Sequence, residues 1–374
     1  MTDDTELRAW AYLARVVEPP NAALLSLCDE LGPIETAAAI RARSVPHGHD
    51  EVLTATAARA DTDLAAQDLD VAARIGARLV TRDDPEWPAW PLLALGQADT
   101  ASRGGEPLAL WVRGTSRLDE VASTGIAPIG SRAASRYGEQ VTSTFAGGLV
   151  AENWAVVSGG AFGVDGAAHR AAVASGGQTM AVMACGIDRD YPAGHARLFD
   201  QIAENGLVLS EYPPGTTAAK HRFLTRNRLV AAMSKAVVVV EAGRRSGAAN
   251  TAAWARKLGR PLGAVPGPVT SATSVGCHQL IADGLAALVI DPQAVIALAA
   301  PDGSGDMGRG PVRSTDALSP EAKRVHDAIP ARGSVTIEEI AFSAGLETAR
   351  VRSALAHMDV SGHVVNVDGA WRLA

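Results

Sequence analysis

Cysteines, long apolar runs and positive charge are all scarce in this sequence. The three cysteines, Cys28, Cys185 and Cys277, lie far apart, and none belongs to a CxxC pair. This spacing argues against a disulfide framework or a zinc knuckle and fits a reducing compartment. The apolar runs are short, and the acidic start MTDDTELRAW lacks the apolar segment of a signal peptide. We therefore expect a cytoplasmic protein that makes no contact with a membrane.

The charge balance gives no overall signature of a nucleic-acid-binding protein. The net charge is −7, while apolar residues make up 47% and charged residues 20% of the 374 positions. Such a chain is long enough for two or three domains with a sizeable core. Its acidity argues only weakly against nucleic acid as a partner, because binding depends on the local potential rather than on total charge.

Residues 1–80 show helical periodicity and no strand pattern. Leucines recur at helical spacing between residues 24 and 31, and Gly32-Pro33 interrupts them. We predict a helical N-terminal domain over residues 1–80, of the SAM-like or helix-hairpin-helix kind. Because this segment lacks a clear basic loop, packing and partner contact are favoured over DNA binding as its role.

Most of the remaining chain predicts an α/β domain. Residues 81–115 form an irregular stretch whose three tryptophans, Trp87, Trp90 and Trp111, indicate a packed connector rather than a solvated linker. From about residue 124, Ala-rich helical segments separate most of a series of short apolar runs. These runs are TGIAPIG, WAVVSGG, TMAVMACG, GLVLSEY, AVVVVEAG, PLGAVPG and ALVID. The alternation predicts a doubly wound, Rossmann-like parallel sheet within a domain spanning residues 81–300.

The end of the chain predicts a linker followed by a small domain. Residues 301–317 are rich in Gly, Pro, Ser and Asp, which is typical of a flexible linker. Residues 318–374 predict three helices and then two short strands that turn at Asp368-Gly369. Three helices and a hairpin are the outline of a winged-helix domain.

Two turns that follow predicted strands carry features that favour anion binding. Residues 130–132 (Gly-Ser-Arg) combine a tight turn, a serine placed to cap the next helix and a positive charge. Residues 158–160 (Ser-Gly-Gly) let a ligand approach the backbone closely. Because ligands of such sheets bind beyond the carboxyl ends of the strands, we expect both turns to face one crevice.

Asp165 and His169 lie one helical turn apart in the segment that follows. They could act in acid–base chemistry, or they could tie the loop to its helix, and the structural role is favoured. The nearby glycines do not form the GxGxxG dinucleotide fingerprint with an acidic residue at the usual distance. We therefore predict no cofactor and no metal site.

A basic cluster precedes the most apolar predicted strand. Between Lys220 and Arg245 only Glu241 opposes seven basic residues, and Phe223 lies among them. A helix that starts near Thr225 would place cations in its first turn, where the helix dipole disfavours them unless an anion binds. Phe223 is placed to stack on a base. A further loop at a helix N-terminus contains Arg245, Ser246 and Gly247, so the cluster predicts a phosphate-binding crevice.

Taken in order, these motifs resemble the DNA-processing protein A family (DprA, also called Smf). The motifs are GSRAASRYG, SGGAFGVDGAAH, MACGIDRDYP, SEYPPGT, FLTRNR, EAGRRSGAANTA and AVPG. The resemblance implies a Rossmann-like domain that binds single-stranded DNA without catalysis. It also implies that the protein protects incoming strands in natural transformation, loads the recombinase RecA on them, helps to displace single-strand-binding protein, and dimerises through this domain.

The resemblance also implies which residues contact DNA. The predicted DNA-binding residues include Ser246 of the loop at the last helix N-terminus. The full set is Arg132, Ser158, Gly159, Gly160, Lys220, Phe223, Arg226, Asn227, Arg228, Arg245 and Ser246. The chain departs from the common family pattern at Leu224, where proline is usual, and at His195, where asparagine is usual. Small residues also stand at Ala248 and Ala249. None of these departures removes a charged contact, but they alter the shape of the pocket.

Two other functions remain as alternatives. The fold is also like that of phosphoribohydrolases of the lysine-decarboxylase-like (LOG) group, which have a catalytic glutamate in a PGGxGTxxE motif. Ala252 or Ala253 stands where that carboxylate is expected, which argues against hydrolysis. The second alternative is a regulatory DNA or protein interaction module based on the winged helix, where Arg350 and Arg352 lie on the predicted recognition helix.

Overall fold

A computed structural model describes residues 4–98, 104–244, 246–300, 315 and 318–374. The chain divides into two compact units, Met1–Met307 and Gly308–Ala374. The predicted linker at 301–317 lies almost wholly outside the described residues, so its flexibility stays a prediction.

The first unit begins with five helices, as the periodicity of the sequence predicted. They are α1 (Asp4–Val16), α2 (Ala22–Leu31), α3 (Pro33–Arg41), α4 (Asp50–Thr56) and α5 (Ala65–Arg74). Asn21 caps α2 by accepting a hydrogen bond from the Leu24 amide at 2.8 Å. Gly32, with φ of +79°, separates α2 from α3, and Pro33 is the first residue of α3. Leu24 and Leu27 are fully buried, so the leucine spacing marks the face of α2 that packs in the core.

A nine-stranded sheet follows, in the spatial order β1-β2-β6-β5-β4-β3-β7-β8-β9. Its strands are β1 (Ala77–Val80), β2 (Leu110–Arg113), β3 (Gly125–Gly130), β4 (Ala155–Ser158), β5 (Thr179–Met183), β6 (Leu207–Ser210), β7 (Ala236–Glu241), β8 (Leu262–Ala264) and β9 (Ala287–Leu288). The strands from β3 to β9 pair in parallel, while β1 and β2 are antiparallel additions. The predicted α/β class with a largely parallel sheet is confirmed, and each of the seven apolar runs forms a strand.

The prediction was wrong for the region before the parallel sheet. β1 and β2 are strands where a helical segment and an irregular connector were expected. Each has four residues, which is too short for the alternation of apolar and polar residues that predicts a strand. Each is a strand because it pairs with a neighbouring strand in the sheet. Trp111 on β2 is fully buried as expected, whereas Trp90 is 83% exposed.

Helices cover both faces of the sheet. They are α6 (Ala89–Gln97), α7 (Leu118–Ser123), α8 (Arg136–Ala151), α9 (Val164–Ala174), α10 (Ala196–Asn205), α11 (Lys220–Ala232), α12 (Gly247–Lys257), α13 (Val275–Ala282) and α14 (Pro292–Ala299). Val237 and Val239 of β7 belong to one apolar cluster, while Val238 and Val240 between them belong to another. Both faces of β7 are therefore buried, which explains its unbroken run of valines.

The strand order creates a switch point between β3 and β7. The chain moves from β3 through β4 and β5 to β6 in one direction and from β7 through β8 to β9 in the other. Helices that start at the carboxyl ends of β3 and β7 therefore diverge, which leaves a crevice above these strands. Among the described helices, none is both long and apolar enough to cross a membrane.

The second unit contains three helices and a hairpin. Its elements are α15 (Pro320–Asp327), α16 (Ile337–Ala344), α17 (Thr348–Val360), β10 (Val364–Val367) and β11 (Ala370–Leu373). Asp368 and Gly369, both with positive φ, form the turn between the two strands. Val325, Ile340 and Leu355 are fully buried in a core of their own. The assignment of this unit to the winged-helix class stays a prediction.

Candidate functional site

A cavity of about 610 Å³ opens at the switch point. The carboxyl ends of β3 and β4 form its floor, and the first turns of α11 and α12 form its walls. The polar and aromatic residues that line it are Ser131, Arg132, Asp165, Tyr191, Lys220, Phe223, Arg226, Asn227, Ser246 and Thr251, and Gly159 lines it through the backbone. The turns after β3 and β4 therefore meet in one crevice, as the sequence predicted.

The loop after β3 presents Arg132 to this cavity. Ser135, not Ser131, is the N-cap of α8, and its hydroxyl accepts a hydrogen bond from the Gly138 amide at 3.1 Å. The prediction that Ser131 caps the helix was wrong, because the loop continues for several residues before the helix begins. Glu241 at the end of β7 holds this loop by accepting bonds from the Ser135 amide at 2.8 Å and its hydroxyl at 2.6 Å. Arg132 itself is exposed.

Arg226 is buried at the base of the cavity rather than placed on a solvated helix face. Helix α11 begins at Lys220, so Arg226 is in its second turn and not in the first turn of a helix starting near Thr225. Its guanidinium donates to the carbonyl oxygens of Gly159 and Val182. A Cβ at Gly159 would come within 2.5 Å of this guanidinium, so glycine is required there for the contact. Burial lowers the pKa of Arg226, and the nearby Asp165 opposes that shift.

Asp165 and His169 do not form an acid–base pair in the cavity. Burial raises the pKa of Asp165, against the attraction of Arg226, and its carboxylate accepts a bond from the Ala161 amide at 3.4 Å. His169 is fully buried, and its Nδ1 is 2.7 Å from the Thr179 hydroxyl. Burial lowers the pKa of His169 to about 3. Among the described residues, no cluster of three or more His, Cys, Asp or Glu side chains could hold a metal ion.

Phe223 forms an aromatic surface on the cavity wall. The Arg132 guanidinium lies 4.8 Å from the centroid of its ring, and the Tyr191 ring lies 5.2 Å away at an interplanar angle of 50°. Phe223 is partly exposed, and Tyr191 is 46% exposed. Tyr191 was not among the residues predicted from the sequence to contact DNA. Its position after β5, at the edge of the sheet that carries the other site loops, was the available signal.

Two helix N-termini point toward the cavity. Helix α11 starts at the exposed Lys220, and its preceding residue Ala219 provides no side-chain cap. Ser246 caps α12 and accepts a bond from the Ala249 amide at 3.3 Å. Asn227 ties the two helices together, because its amide nitrogen donates to the Asn250 side-chain oxygen at 3.1 Å. Free N–H groups at such helix starts favour a bound anion.

Three predicted site residues do not line the cavity. Ser158 is fully buried, and its hydroxyl donates to the Pro128 carbonyl at 2.9 Å. Gly160 has φ of +68°, and its carbonyl accepts a bond from His195 Nδ1 at 3.0 Å. Arg228 is fully buried and donates two hydrogen bonds, of 2.6 and 2.8 Å, to the Glu211 carboxylate. Arg245 lies outside the described residues, so its contact with DNA stays a prediction.

The basic run is therefore less positive than its sequence suggested. Arg228 is neutralised by Glu211, and Arg222 is paired with Glu18 at 2.6 Å. Only Glu241 opposes the run within the segment from Lys220 to Arg245, because Glu18 and Glu211 come from other parts of the chain. Of the cavity-lining cations, Arg132 and Lys220 are exposed and make no ion pair with any described residue.

The fold and the cavity together define a class of protein. It is a largely parallel α/β protein with an open, cationic and partly aromatic cavity at its switch point, and helix N-termini and glycine-rich turns surround this cavity. Helix N-termini and glycine-rich turns at a switch point are suited to a ligand that carries phosphate.

Comparison with known proteins identifies the family. The model of the family described as DNA recombination-mediator protein A matches residues 78–300. A Mycobacterium tuberculosis protein, provisionally named DNA processing protein DprA, is 50% identical over 374 residues, covering 99% of this chain and 95% of that protein. The chain therefore belongs to the DNA recombination-mediator protein A (DprA/Smf) family, as the motifs predicted.

Solved structures agree with this assignment. The X-ray structure of DNA processing protein A from Streptococcus pneumoniae has a TM-score of 0.64 and 30% identity, and the match covers 79% of this chain and 98% of that chain. DNA processing protein A from Helicobacter pylori, which binds single-stranded DNA, has a TM-score of 0.52 and 29% identity over 62% of this chain and 98% of its own.

Proposed function

We propose that this protein binds single-stranded DNA in the cavity at the switch point. Phe223 provides the surface on which an unpaired base stacks, with Tyr191 extending it. Arg132, Lys220 and the start of α12 hold the neighbouring phosphates. The observation that carries the proposal is the partly exposed Phe223 ring, whose centroid lies 4.8 Å from the Arg132 guanidinium and 5.2 Å from the centroid of the Tyr191 ring. An apolar ring flanked by a cation and a second aromatic is suited to a base with its phosphate.

The preference for single strands follows from the same surface. A base can stack on Phe223 only if its face is free, and duplex DNA buries both faces of each base pair. Stacking contributes about 1–3 kcal/mol per base and depends little on sequence. The relative from Helicobacter pylori, which binds single-stranded DNA, supports this choice of ligand.

Fluorescence anisotropy tests the proposal. The labelled ligands are an oligothymidylate strand and a duplex of the same length, each titrated with the full-length protein at two salt concentrations. We expect tight binding to the single strand that weakens with salt, and much weaker binding to the duplex. Equal affinity for both ligands, or no binding to either, would contradict the proposal.

We further propose that the bound strand is passed to RecA recombinase during natural transformation or homologous recombination. In this role the protein protects the incoming strand and helps RecA to displace single-strand-binding protein. Membership of the DprA/Smf family supports the proposal. Its test is the ATPase activity of RecA on DNA coated with single-strand-binding protein. We expect this protein to shorten the lag before ATP hydrolysis, and an unchanged lag would exclude RecA loading.

We also propose a homodimer formed through the α/β domain. Edge strand β9 pairs only with β8 in the described sheet, and Leu288 and Ile290 beside that edge are 52% and 66% exposed. Unpaired edges with apolar side chains favour association with a second copy. Light scattering after gel filtration should give twice the chain mass, and Ile290→Asp should shift the protein toward the monomer.

No catalytic step is part of the proposed function. Ala252 or Ala253 of α12 stands where phosphoribohydrolases of the LOG group are expected to have their glutamate, and neither side chain has a carboxylate. Asp165, the carboxylate that lines the cavity, is held by the Ala161 amide and lies near Arg226. Incubation with AMP or CMP should therefore release no free base. Release that depends on Asp165 would favour the hydrolase alternative.

A further inference from the structure

A second cavity, of about 240 Å³, lies between the N-terminal helices and the α/β domain. Arg59 and Glu18 reach it from the helical side, while Tyr212, Thr217 and Arg222 reach it from the α/β side. It is separate from the cavity at the switch point, since no described residue lines both.

Two arginines and a histidine meet at one carboxylate in this second cavity. Glu18 accepts bonds from Arg222 at 2.6 and 2.9 Å and from Arg59 at 3.1 Å, and the His221 ring nitrogen lies 3.1 Å from it. Burial opposes the ionisation of Glu18, but these partners outweigh burial and lower its pKa to about 2. A single carboxylate thus faces two permanent positive charges, so the cluster keeps a net positive charge.

Arg59 is the cation with the most unused capacity in the cluster. Its side chain is 42% exposed. Its Nη1 makes only long contacts, of 3.3 and 3.4 Å, with the carbonyl oxygens of Arg15 and Val17. Exposed guanidinium groups with unused N–H donors are well suited to phosphate oxygens.

Tyr212 is a second, independent sign of a ligand. It lines the same cavity, is 1% exposed, and its hydroxyl has no hydrogen-bond partner in the described structure. The Arg222 guanidinium lies 5.1 Å from the centroid of its ring. Buried hydroxyl groups without a partner are rare, because desolvation without a hydrogen bond is costly. Tyr212 therefore adds a buried donor without a partner to the lining that Arg59 and Arg222 share.

The segment from residue 216 to residue 223 connects the two cavities. Thr217 and Arg222 line the second cavity, whereas Ala219, Lys220 and Phe223 line the first. A strand whose base stacks on Phe223 would meet the second cavity if its backbone continued along this segment past the exposed Lys220.

We propose that the second cavity is a phosphate subsite for the same single strand, in which Arg59 holds the backbone beyond Lys220 while Arg222, paired with Glu18, positions the cluster. The subsite rests on the proposed function, because it has a role only if the strand enters the first cavity. It predicts that long strands bind more tightly than short ones, since a short strand fills only the first cavity.

Anisotropy with oligothymidylates of ~5 and ~20 nucleotides tests the subsite. We expect Arg59→Gln to weaken binding of the long strand about fivefold to tenfold, the loss of one charge-assisted contact. The salt slope for that strand should fall by about 0.7, one phosphate contact on a single strand. Binding of the short strand should not change, which also shows that the variant is folded. Arg59→Lys should recover part of the loss.

Two further variants keep the outcomes distinct. Arg8→Gln makes the same change of charge on α1, where Arg8 pairs with the exposed Asp4, and it should affect neither strand. Phe223→Ala should weaken both strands. Normal binding of both strands by Arg59→Gln, or equal weakening of both, would overturn the subsite while the effect of Phe223→Ala upholds the first cavity. Failure of the unmodified protein to bind either strand would overturn both proposals.

Discussion

Helix α11 has two sides that carry the same kinds of residue and use them differently. On the side of the cavity, Lys220 is exposed and makes no ion pair with a described residue, and Phe223 is partly exposed beside Arg132 and Tyr191. Away from the cavity, Arg228 is fully buried against Glu211, and Arg222 is paired with Glu18. A run of basic residues in one helix thus contributes partly to a site and partly to the stability of the fold.

The difference teaches how to interpret a basic cluster. A buried guanidinium needs a carboxylate and further hydrogen bonds, because desolvation of an unpaired charge is very costly. Arg228 has both, since it also donates to the Gly105 carbonyl at 3.0 Å. Arg226 is intermediate between the exposed and the paired cations. It lines the cavity, but its guanidinium donates hydrogen bonds to backbone carbonyl oxygens. Burial and partners, rather than sequence position, separate the three arginines of the RFLTRNR segment.

The largest effect should come from the core side of α11. We expect Arg228→Met to lower the free energy of unfolding by about 3–5 kcal/mol, because it leaves Glu211 buried without its partner. Urea denaturation followed by circular dichroism measures this change. The double variant Arg228→Met with Glu211→Leu should recover much of the loss. Unchanged stability combined with weaker DNA binding would instead place Arg228 in the DNA site.

Phe223→Ala should affect the opposite side of the helix. We expect single-strand affinity to fall by about 1–3 kcal/mol, the contribution of one stacked base. The salt slope should stay the same, since no phosphate contact is lost, and the unfolding midpoint should change little. Tyr191→Ala is the matched variant in the neighbouring loop and should have a smaller effect. If Phe223→Ala destabilises the fold and leaves binding intact, the ring belongs to the core.

Lys220→Gln separates charge from stacking on the same side. We expect a few-fold loss of single-strand affinity and a decrease in the salt slope of about 0.7, the value for one phosphate contact. Titration at a series of salt concentrations measures both quantities. Lys235→Gln, within the same basic run but outside both cavities, is the control. A salt slope that falls equally in both variants would show a general charge effect rather than a contact.

The smallest effect should follow removal of the second unit. A chain that ends at Pro311 keeps every described element of the first unit, including both cavities. We expect its affinity for a single strand to match that of the full chain in the same anisotropy assay. A large loss would mean that Arg350 and Arg352, exposed on α17, supply a main DNA contact.

Much of the site was predictable from motifs that follow strands. Arg132, Gly159 and Ser246 each come after a run that forms a strand, and parallel strands present their carboxyl ends at one edge. Lys220 and Phe223 were predictable as a cationic and aromatic pair. Tyr191 was missed because a tyrosine before proline in a loop indicates only a turn. The folded sheet is what brings its ring close to Phe223.

The partners of the arginines could not be predicted from the sequence. Glu18 lies 204 positions from Arg222. Glu211 comes directly after β6, whereas α11 leads into β7. The start of α11 was also misjudged, because Lys220, His221 and Arg222 look like a polar loop. Tertiary contacts decide whether such residues form a helical turn, and Arg222 gains its partner Glu18 in that turn.

The sequence by itself determined the α/β class, the order of the parallel strands along the chain and the family. Hydrophobic periodicity and glycine positions are local properties of each segment. They are present in its sequence whatever the segment packs against in the fold. Only the tertiary structure decided which cations face a ligand and which are neutralised, and where a second cavity opens beside α11. Burial and ion pairing depend on residues brought together from distant positions, and they set whether a charge remains available to DNA.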